Sequence, residues 1–166
     1  DLMMKYLEGR IAFSSLLAGG RIGLGGSLYG LATFNAVSGG RLTPNALSAI
    51  GGSGFFSGYP EGYAGANDLA RATIELSINP FVDASVKTRA VERASLSFRL
   101  EAGVARYFYG DLRVGYPLSI EARLRHRFYQ SPNSLSSVFA AFALPLNDFI
   151  GSLGGAPFQV YAGYSY

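Results

Sequence analysis

The stretch that decides the fold class is Leu96-Ser97-Phe98-Arg99-Leu100-Glu101-Ala102-Gly103-Val104. Apolar side chains occupy its even positions, and the odd positions hold serine, arginine, glutamate and glycine. Successive side chains of a β-strand point to opposite faces of the sheet, so this period of two predicts a strand with one apolar and one polar face.

The same alternation recurs along the chain and predicts seven long antiparallel strands. Charged side chains fall on the polar positions of these strands, except Arg106 and His126, which lie near predicted strand ends. Most predicted strands are longer than the five or six residues typical of soluble sheets. They cover residues 5–17, 21–36, 69–79, 94–108, 112–128, 136–146 and 156–166, with a turn at 18–20 and a long loop at 37–68. An alternative makes residues 83–91 an eighth strand, as in small eight-stranded barrels.

Composition excludes several classes of function. The chain has 166 residues, of which 15% are charged, with no Cys and one His. Disulfide scaffolds, thiol chemistry and sites built on Cys or clustered His ligands are therefore excluded. A formal net charge of +3, spread evenly along the chain, does not suggest a nucleic-acid partner. No nucleophile and base stand together in the sequence, so we expect no catalytic residues, no metal and no cofactor.

Two environments could produce strands with one apolar face. In a soluble sandwich a second sheet covers that face. In a transmembrane barrel it meets lipid, and the polar face lines a closed interior. Aromatic residues cluster at predicted strand ends, at 107–109 and 128–129, where an aromatic girdle would lie. The sequence therefore predicts an all-β, antiparallel transmembrane β-barrel, with residues 1–166 forming a single domain.

The long loop and the strands after it contain a set of short motifs. The loop holds a Gly-Gly pair and a Gly-Tyr-Pro element. The strand predicted next ends in a Glu-x-x-x-Pro-like pattern at Glu75 to Pro80, and another strand carries an acid-small-Gly element at Glu101. Together they resemble the superfamily of outer-membrane protein-assembly barrels and two-partner-secretion transporters (BamA, TamA and FhaC). The loop residues that carry the resemblance are Gly51, Gly52, Ser57, Gly58, Tyr59, Pro60 and Gly62.

The resemblance implies a fold, a location and a function. It implies the C-terminal portion of a sixteen-stranded barrel in a bacterial-type outer membrane, with the long loop folded into the lumen. The implied function is to insert barrel proteins into the membrane or to translocate polypeptide. Its partners would be outer-membrane lipid, an unfolded or secreted client, and accessory lipoproteins or the missing N-terminal barrel half. A terminal strand signal would be carried by Phe158, Tyr164 and Tyr166. The rival is a small stand-alone structural or porin-like barrel.

One departure from the family pattern concerns how the loop is held. The family's loop arginine, which docks on acids of the barrel wall, would fall at Ser57. A charge-assisted bond to such an acid is worth roughly 1.5–3 kcal/mol, and we expect that a serine cannot replace it. Either the loop is held differently here or it is more mobile. The wall acids Glu75 and Glu101 would then pair with arginines from neighbouring polar positions: Arg71, Arg99 or Arg123.

A second polar motif is the run Glu121-x-Arg123-x-Arg125-x-Arg127, which lies on one face of a predicted strand. Two hypotheses fit it. It could be a charged wall that sets ion preference or binds an anionic lipid head group, or it could be simple hydrated lining.

Overall fold

The computed structural model describes residues 4–35, 48–52, 55–79, 93–109, 111–131, 134–151 and 158–165. These residues form nine β-strands and one short 3-10 turn at Ala18–Gly20. Among them, no helix has the length and hydropathy needed to cross a bilayer. The strands are β1 Met4–Leu17, β2 Ile22–Asn35, β3 Ser48–Ile50, β4 Ala64–Ile78, β5 Arg93–Tyr109, β6 Asp111–Gly115, β7 Leu118–Ser131, β8 Ser134–Pro145 and β9 Gln159–Ser165.

The strands form one antiparallel sheet in the order β1-β2-β4-β5-β7-β8-β9, with β3 added to β4 and β6 to β5. Neighbours in this path follow one another along the chain, apart from the short β3 and β6, so the sheet is a meander. The all-β, antiparallel part of the prediction is confirmed. Within the described residues the sheet is not closed, because β1 pairs only with β2 and β9 only with β8.

Several strand ends differ from the prediction by one to three residues, and two differences are more substantial. The loop predicted over 37–68 contains β3, and its last five residues already belong to β4. The strand predicted over 112–128 is interrupted at Tyr116 and Pro117. Proline has no N–H to donate to the ladder. The register nevertheless continues through the break, because Gly115 pairs with Ala105 and Leu118 with Ala102. The alternative eighth strand, residues 83–91, lies outside the described residues.

One face of the sheet, here called the apolar face, carries exposed aliphatic and aromatic side chains. Leu28 is 60% exposed, Ile74 57% and Leu124 55%. Leu24, also on β2, is exposed as well, and so are Phe98 on β5 and Val160 on β9. In the described part of the chain no second layer covers these side chains.

The opposite face, here called the charged face, carries the alternate residues of the same strands. Its acids and arginines are far less accessible than the apolar residues beside them. Glu101 and Glu121 are buried, and the side chains of Arg71, Arg99 and Arg123 are 10–17% exposed. Residues 55–63 cross this face. A hydrophobic cluster forms where this segment meets the sheet, and it includes Phe56 and Tyr59 of the segment itself. Its buried members are Ile50, Phe56, Tyr59, Ala64, Ala66, Leu69, Ala105 and Tyr107.

The predicted aromatic girdle is wrong at Tyr107. This side chain is 3% exposed and belongs to the hydrophobic cluster under the crossing segment. Its ring packs edge-on against Phe149, with 5.4 Å between ring centroids. The strand parity explains the error, because Tyr107 shares a face with Glu101 and Ala105 and not with the apolar side chains. Of the other predicted girdle residues, the side chains at 108, 109, 128 and 129 lie outside the described part of the structure.

Candidate functional site

The segment that crosses the charged face is residues 55–63, here called the docked loop. It is held in shape by its own backbone. Gly51 N–H donates to the Phe55 carbonyl at 2.8 Å, and Gly52 N–H donates to the Tyr59 carbonyl at 3.0 Å. Gly51 has φ of 104°, and a Cβ there would collide with the Pro60 carbonyl. The Gly-Gly pair therefore lets the chain just before the docked loop lie directly against Tyr59 and Pro60.

The centre of the site is the contact between Ser57 in the docked loop and Glu101 on β5. The Ser57 N–H and the Ser57 hydroxyl donate to the same carboxylate oxygen, Glu101 Oε2, at 2.7 and 3.0 Å. Ser119 of β7 donates its hydroxyl to this oxygen at 3.1 Å. Glu101 is fully buried and Ser57 is 1% exposed. The loop thus supplies two of the three hydrogen bonds to this oxygen.

The second oxygen of the same carboxylate faces arginines. Arg71 Nη1 lies 3.0 Å and Arg99 Nε 3.7 Å from Glu101 Oε1. Arg99 also reaches Glu121 Oε2 at 2.8 Å, and Arg123 Nε lies 2.9 Å from Glu121 Oε1. The register explains the alternation of charge, since Arg99 is directly opposite Glu121. The result is a chain of ion pairs across β4, β5 and β7.

Glycines let the docked loop approach the sheet closely. A Cβ at Gly58 would overlap the backbone of Leu144 and Pro145 on β8. A Cβ at Gly103 would lie 2.5 Å from the ring of Phe56. Gly103 is the last residue of the Glu101-Ala102-Gly103 element, so this element supplies both the acid that binds Ser57 and the space for Phe56.

Tyr59 anchors the middle of the docked loop. Its side chain is fully buried, and its hydroxyl lies 2.6 Å from Asn147 Oδ1 and accepts the Leu118 N–H at 3.0 Å. Burial raises the pKa of the Tyr59 phenol to about 12, because the phenolate would lose its hydration. The ring packs edge-on against Phe149 at 5.3 Å. This tyrosine therefore joins the loop to the segment that follows β8.

Two further contacts hold the loop from its sides. Tyr161 of β9 donates its hydroxyl to the Ser57 carbonyl. The guanidinium of Arg71 lies 4.6 Å from the centre of the Phe55 ring, and Tyr29 packs on the same ring at 4.8 Å. The docked loop consequently contacts β2, β4, β5, β7, β8 and β9.

The predicted site residues fall into two groups. The structure brings Gly51, Gly52, Ser57, Gly58, Tyr59 and Glu101 together with Arg71 and Arg99. Pro60 and Gly62 belong to the docked loop but lie on its more accessible side. Arg123 joins the network through Glu121, an acid that the prediction did not include. Glu75 is opposite Arg99 in register but makes no contact with the docked loop that the structure records.

The predicted terminal strand signal is separate from this site. Phe158 packs on Phe142 at 5.3 Å, and the Tyr164 hydroxyl is 3.1 Å from Ser136 Oγ. Tyr166 lies outside the described residues.

The structure answers the question that Ser57 raised. Ser57 binds a wall acid directly, because it donates to Glu101 through its hydroxyl and its backbone N–H. The positive charges come from the wall instead, from Arg71 and Arg99. Of the two alternatives, the loop is held differently.

Four contributors were not among the predicted residues of this site: Ser119, Glu121, Asn147 and Tyr161. Glu121 was identified only as the first residue of the separate Glu-x-Arg run on the charged face. The other three are polar residues whose role depends on the position of a segment distant in sequence. Nothing in their local sequence indicates that role.

No protein family, curated protein or solved structure matches this chain. The chemistry of the site must therefore be taken from its geometry. Within the described residues, no group of three acidic or His side chains could hold a metal ion. The arrangement pairs each buried acid with cations and loop donors, which is what holding a loop on a charged surface requires.

Replacing Glu101 by Gln should release the docked loop. The neutral side chain would leave Arg71 and Arg99 without their shared carboxylate oxygen, and breaking a buried ion network costs about 3 kcal/mol or more. Chymotrypsin cleavage after Phe55, Phe56 or Tyr59, followed by mass spectrometry, measures the release.

The matched control is Glu75→Gln, which removes an acid from the charged face without touching the loop. Its loop should stay resistant to chymotrypsin, as in the unmodified protein. Equal cleavage of the Glu75→Gln and Glu101→Gln chains would contradict the role assigned to Glu101.

Proposed function

We propose that this chain is part of a β-barrel that spans a bacterial-type outer membrane, with its charged face toward an aqueous interior and the docked loop inside. One observation carries the proposal: the two faces of the same strands have opposite environments. Ile74 is 57% exposed, while Glu101, on the neighbouring strand and the other face, is fully buried beneath the loop. A soluble sheet would show the reverse.

The extent of the apolar face supports a lipid environment. Exposed apolar side chains line β1, β2, β4, β5, β7, β8 and β9 in turn. Soluble monomers rarely expose contiguous apolar patches larger than a few hundred Å². Lipid-facing positions of outer-membrane strands alternate with polar lumen positions, as they do here.

The proposed activity is the insertion of barrel proteins into the membrane or the translocation of polypeptide across it. The resemblance of residues 51–80 and 101–103 to the assembly and two-partner-secretion superfamily is its main support. The outer edge of β9, which has no partner strand among the described residues, gives it a physical route, because an unpaired strand edge can bind an incoming strand through main-chain hydrogen bonds. Lipid, a client polypeptide, accessory lipoproteins and a further barrel portion are the partners that this activity needs.

The alternative is a small stand-alone barrel with a structural or porin-like role. The sheet of the described residues disfavours it, because closure of a barrel would have to join β1 to β9 and these strands are paired only on their inner sides. The two functions differ in what they do to a second polypeptide, which makes them separable by experiment.

Residues on opposite faces of the neighbouring strands β4 and β5 should report opposite environments in liposomes. The chain has no native cysteine, so a spin label can be placed singly at Ile74→Cys on the apolar face or Ser97→Cys on the charged face. We expect oxygen dissolved in the bilayer to relax the label at residue 74 more strongly, and a water-soluble nickel complex to relax the label at residue 97 more strongly. Equal access of the nickel complex to both labels would exclude the membrane orientation.

Liposomes that contain this chain should speed the insertion of a small unfolded barrel protein. An acceleration of about tenfold, equivalent to about 1.4 kcal/mol of barrier, is expected over protein-free liposomes. The shift in electrophoretic mobility between unheated folded and heated barrel measures the rate. Liposomes with an unrelated closed barrel are the control. Passage of small solutes without any acceleration would favour the porin-like alternative and contradict the assembly function.

A further inference from the structure

Along β7, the charged face carries arginine side chains that make no contact with the docked loop that the structure records. Arg123, Arg125 and Arg127 follow one another at alternate positions of β7, and we call them the arginine ladder. Alternate residues of a strand are about 7 Å apart, so the three side chains start from points spread over about 13 Å. All three share a face with Glu121.

The first arginine of the ladder is already paired. Arg123 Nε lies 2.9 Å from Glu121 Oε1, and Arg123 Nη2 donates to Glu121 Oε2 at 3.2 Å. Glu121 also accepts from Arg99 at 2.8 Å. Both oxygens of this carboxylate therefore face Arg99 or Arg123, and none of the recorded contacts of Glu121 is with Arg125 or Arg127.

The second arginine has a buried donor with no acceptor. Arg125 is opposite Ser95 on one side and Phe139 on the other, so the register brings no carboxylate to it. Its Nε is shielded from solvent and has no hydrogen-bond partner among the described residues, as is also true of the Nε atoms of Arg71, Arg99 and Arg123. Those three arginines each form an ion pair with Glu101 or Glu121, whereas the register places no carboxylate opposite Arg125. Buried polar groups in native proteins are nearly always satisfied, so a bound anion would supply the acceptor that this N–H lacks.

The charge around Arg125 has the same sign as the residue itself. It interacts electrostatically with Arg127, Arg123 and Arg99, and with a single acid, Glu75, on β4. Like charges close together on one face of a sheet destabilise it, and a bound anion would reduce this repulsion.

The surroundings shape the position that such an anion would take. The ring of Phe139 lies 4.6 Å from the guanidinium carbon of Arg123 and covers Gly163 of β9. This ring closes the β8 side of the ladder. Ser97 and Ser95 are opposite Arg123 and Arg125 on the β5 side.

We propose that Arg125 and Arg127 bind a phosphate-type oxyanion, either a free phosphate or the phosphate of a lipid head group. Guanidinium groups present planar pairs of N–H donors that match tetrahedral oxyanions, and two such groups about 7 Å apart can bind one phosphate between them. The site depends on the register of β5, β7 and β8, so it does not require the proposed insertion activity.

The test is a titration of the full chain with inorganic phosphate in an uncharged detergent, followed by isothermal calorimetry. The Arg125→Gln and Arg127→Gln variants should each weaken binding by about tenfold or more, because each loses charge-assisted hydrogen bonds. Arg125→Lys keeps the charge but not the paired donors, and it should weaken binding by a smaller factor.

The control variant is Arg21→Gln, which removes the same charge from the exposed turn before β2. Its affinity should equal that of the unmodified chain. Resistance of the docked loop to chymotrypsin, together with an unchanged circular dichroism spectrum, shows that each variant is folded.

A parallel titration uses phosphatidic acid in mixed micelles and distinguishes the two sources of phosphate. Binding of inorganic phosphate that depends on Arg125 supports a free-anion site. Binding of phosphatidic acid alone, with the same dependence, supports a lipid head-group site. No binding in either titration, or an equal loss in the Arg21→Gln variant, would overturn the proposal.

Discussion

The buried carboxylate of Glu101 is the constraint on which the rest of this structure depends. A charged group without contact with water is costly unless it is paired and hydrogen-bonded. Here Arg71 and Arg99 face one oxygen, while Ser57 and Ser119 donate to the other. Two of the three hydrogen bonds to that second oxygen come from the docked loop, through the N–H and the hydroxyl of Ser57. The carboxylate therefore depends on the loop for its hydrogen bonds, and the loop depends on the carboxylate for its position. The position of Tyr59 and the close approach of Gly58 to β8 follow from this contact.

The same carboxylate explains why a neutral residue is sufficient at position 57. A buried carboxylate needs positive charge nearby. In this chain Arg71 and Arg99 bring it from β4 and β5, and the loop needs only neutral donors. Neutral donors are also short, which lets the loop lie close to the sheet. The wall therefore supplies the charge, and the loop supplies the hydrogen-bond donors.

Alternation made the strands predictable, and distance along the chain made the site hard to predict. The parity of Leu96 and Glu101 assigns each to a face without reference to any other strand, and the structure agrees. The prediction for Tyr107 failed because aromatic residues near strand ends occur both in girdles and in cores. The positions of Phe149 and the docked loop, which bury Tyr107, decide between the two, and both are set by distant parts of the chain. Pro117 interrupts a strand whose register nevertheless continues, which periodicity does not reveal. Tyr161 binds a residue 104 positions away, beyond the reach of any local pattern.

The direct measurement of the central contact is hydrogen exchange at the Ser57 amide, followed by NMR on the unmodified chain. This N–H donates to Glu101 Oε2 at 2.7 Å in a buried site, although Ser57 belongs to a loop and not to a strand. It should therefore exchange as slowly as the amides in the middle of β5, since both open only when the surrounding structure opens. Exchange at the rate of an unprotected loop amide would contradict the assignment of Glu101 as the group that holds the loop.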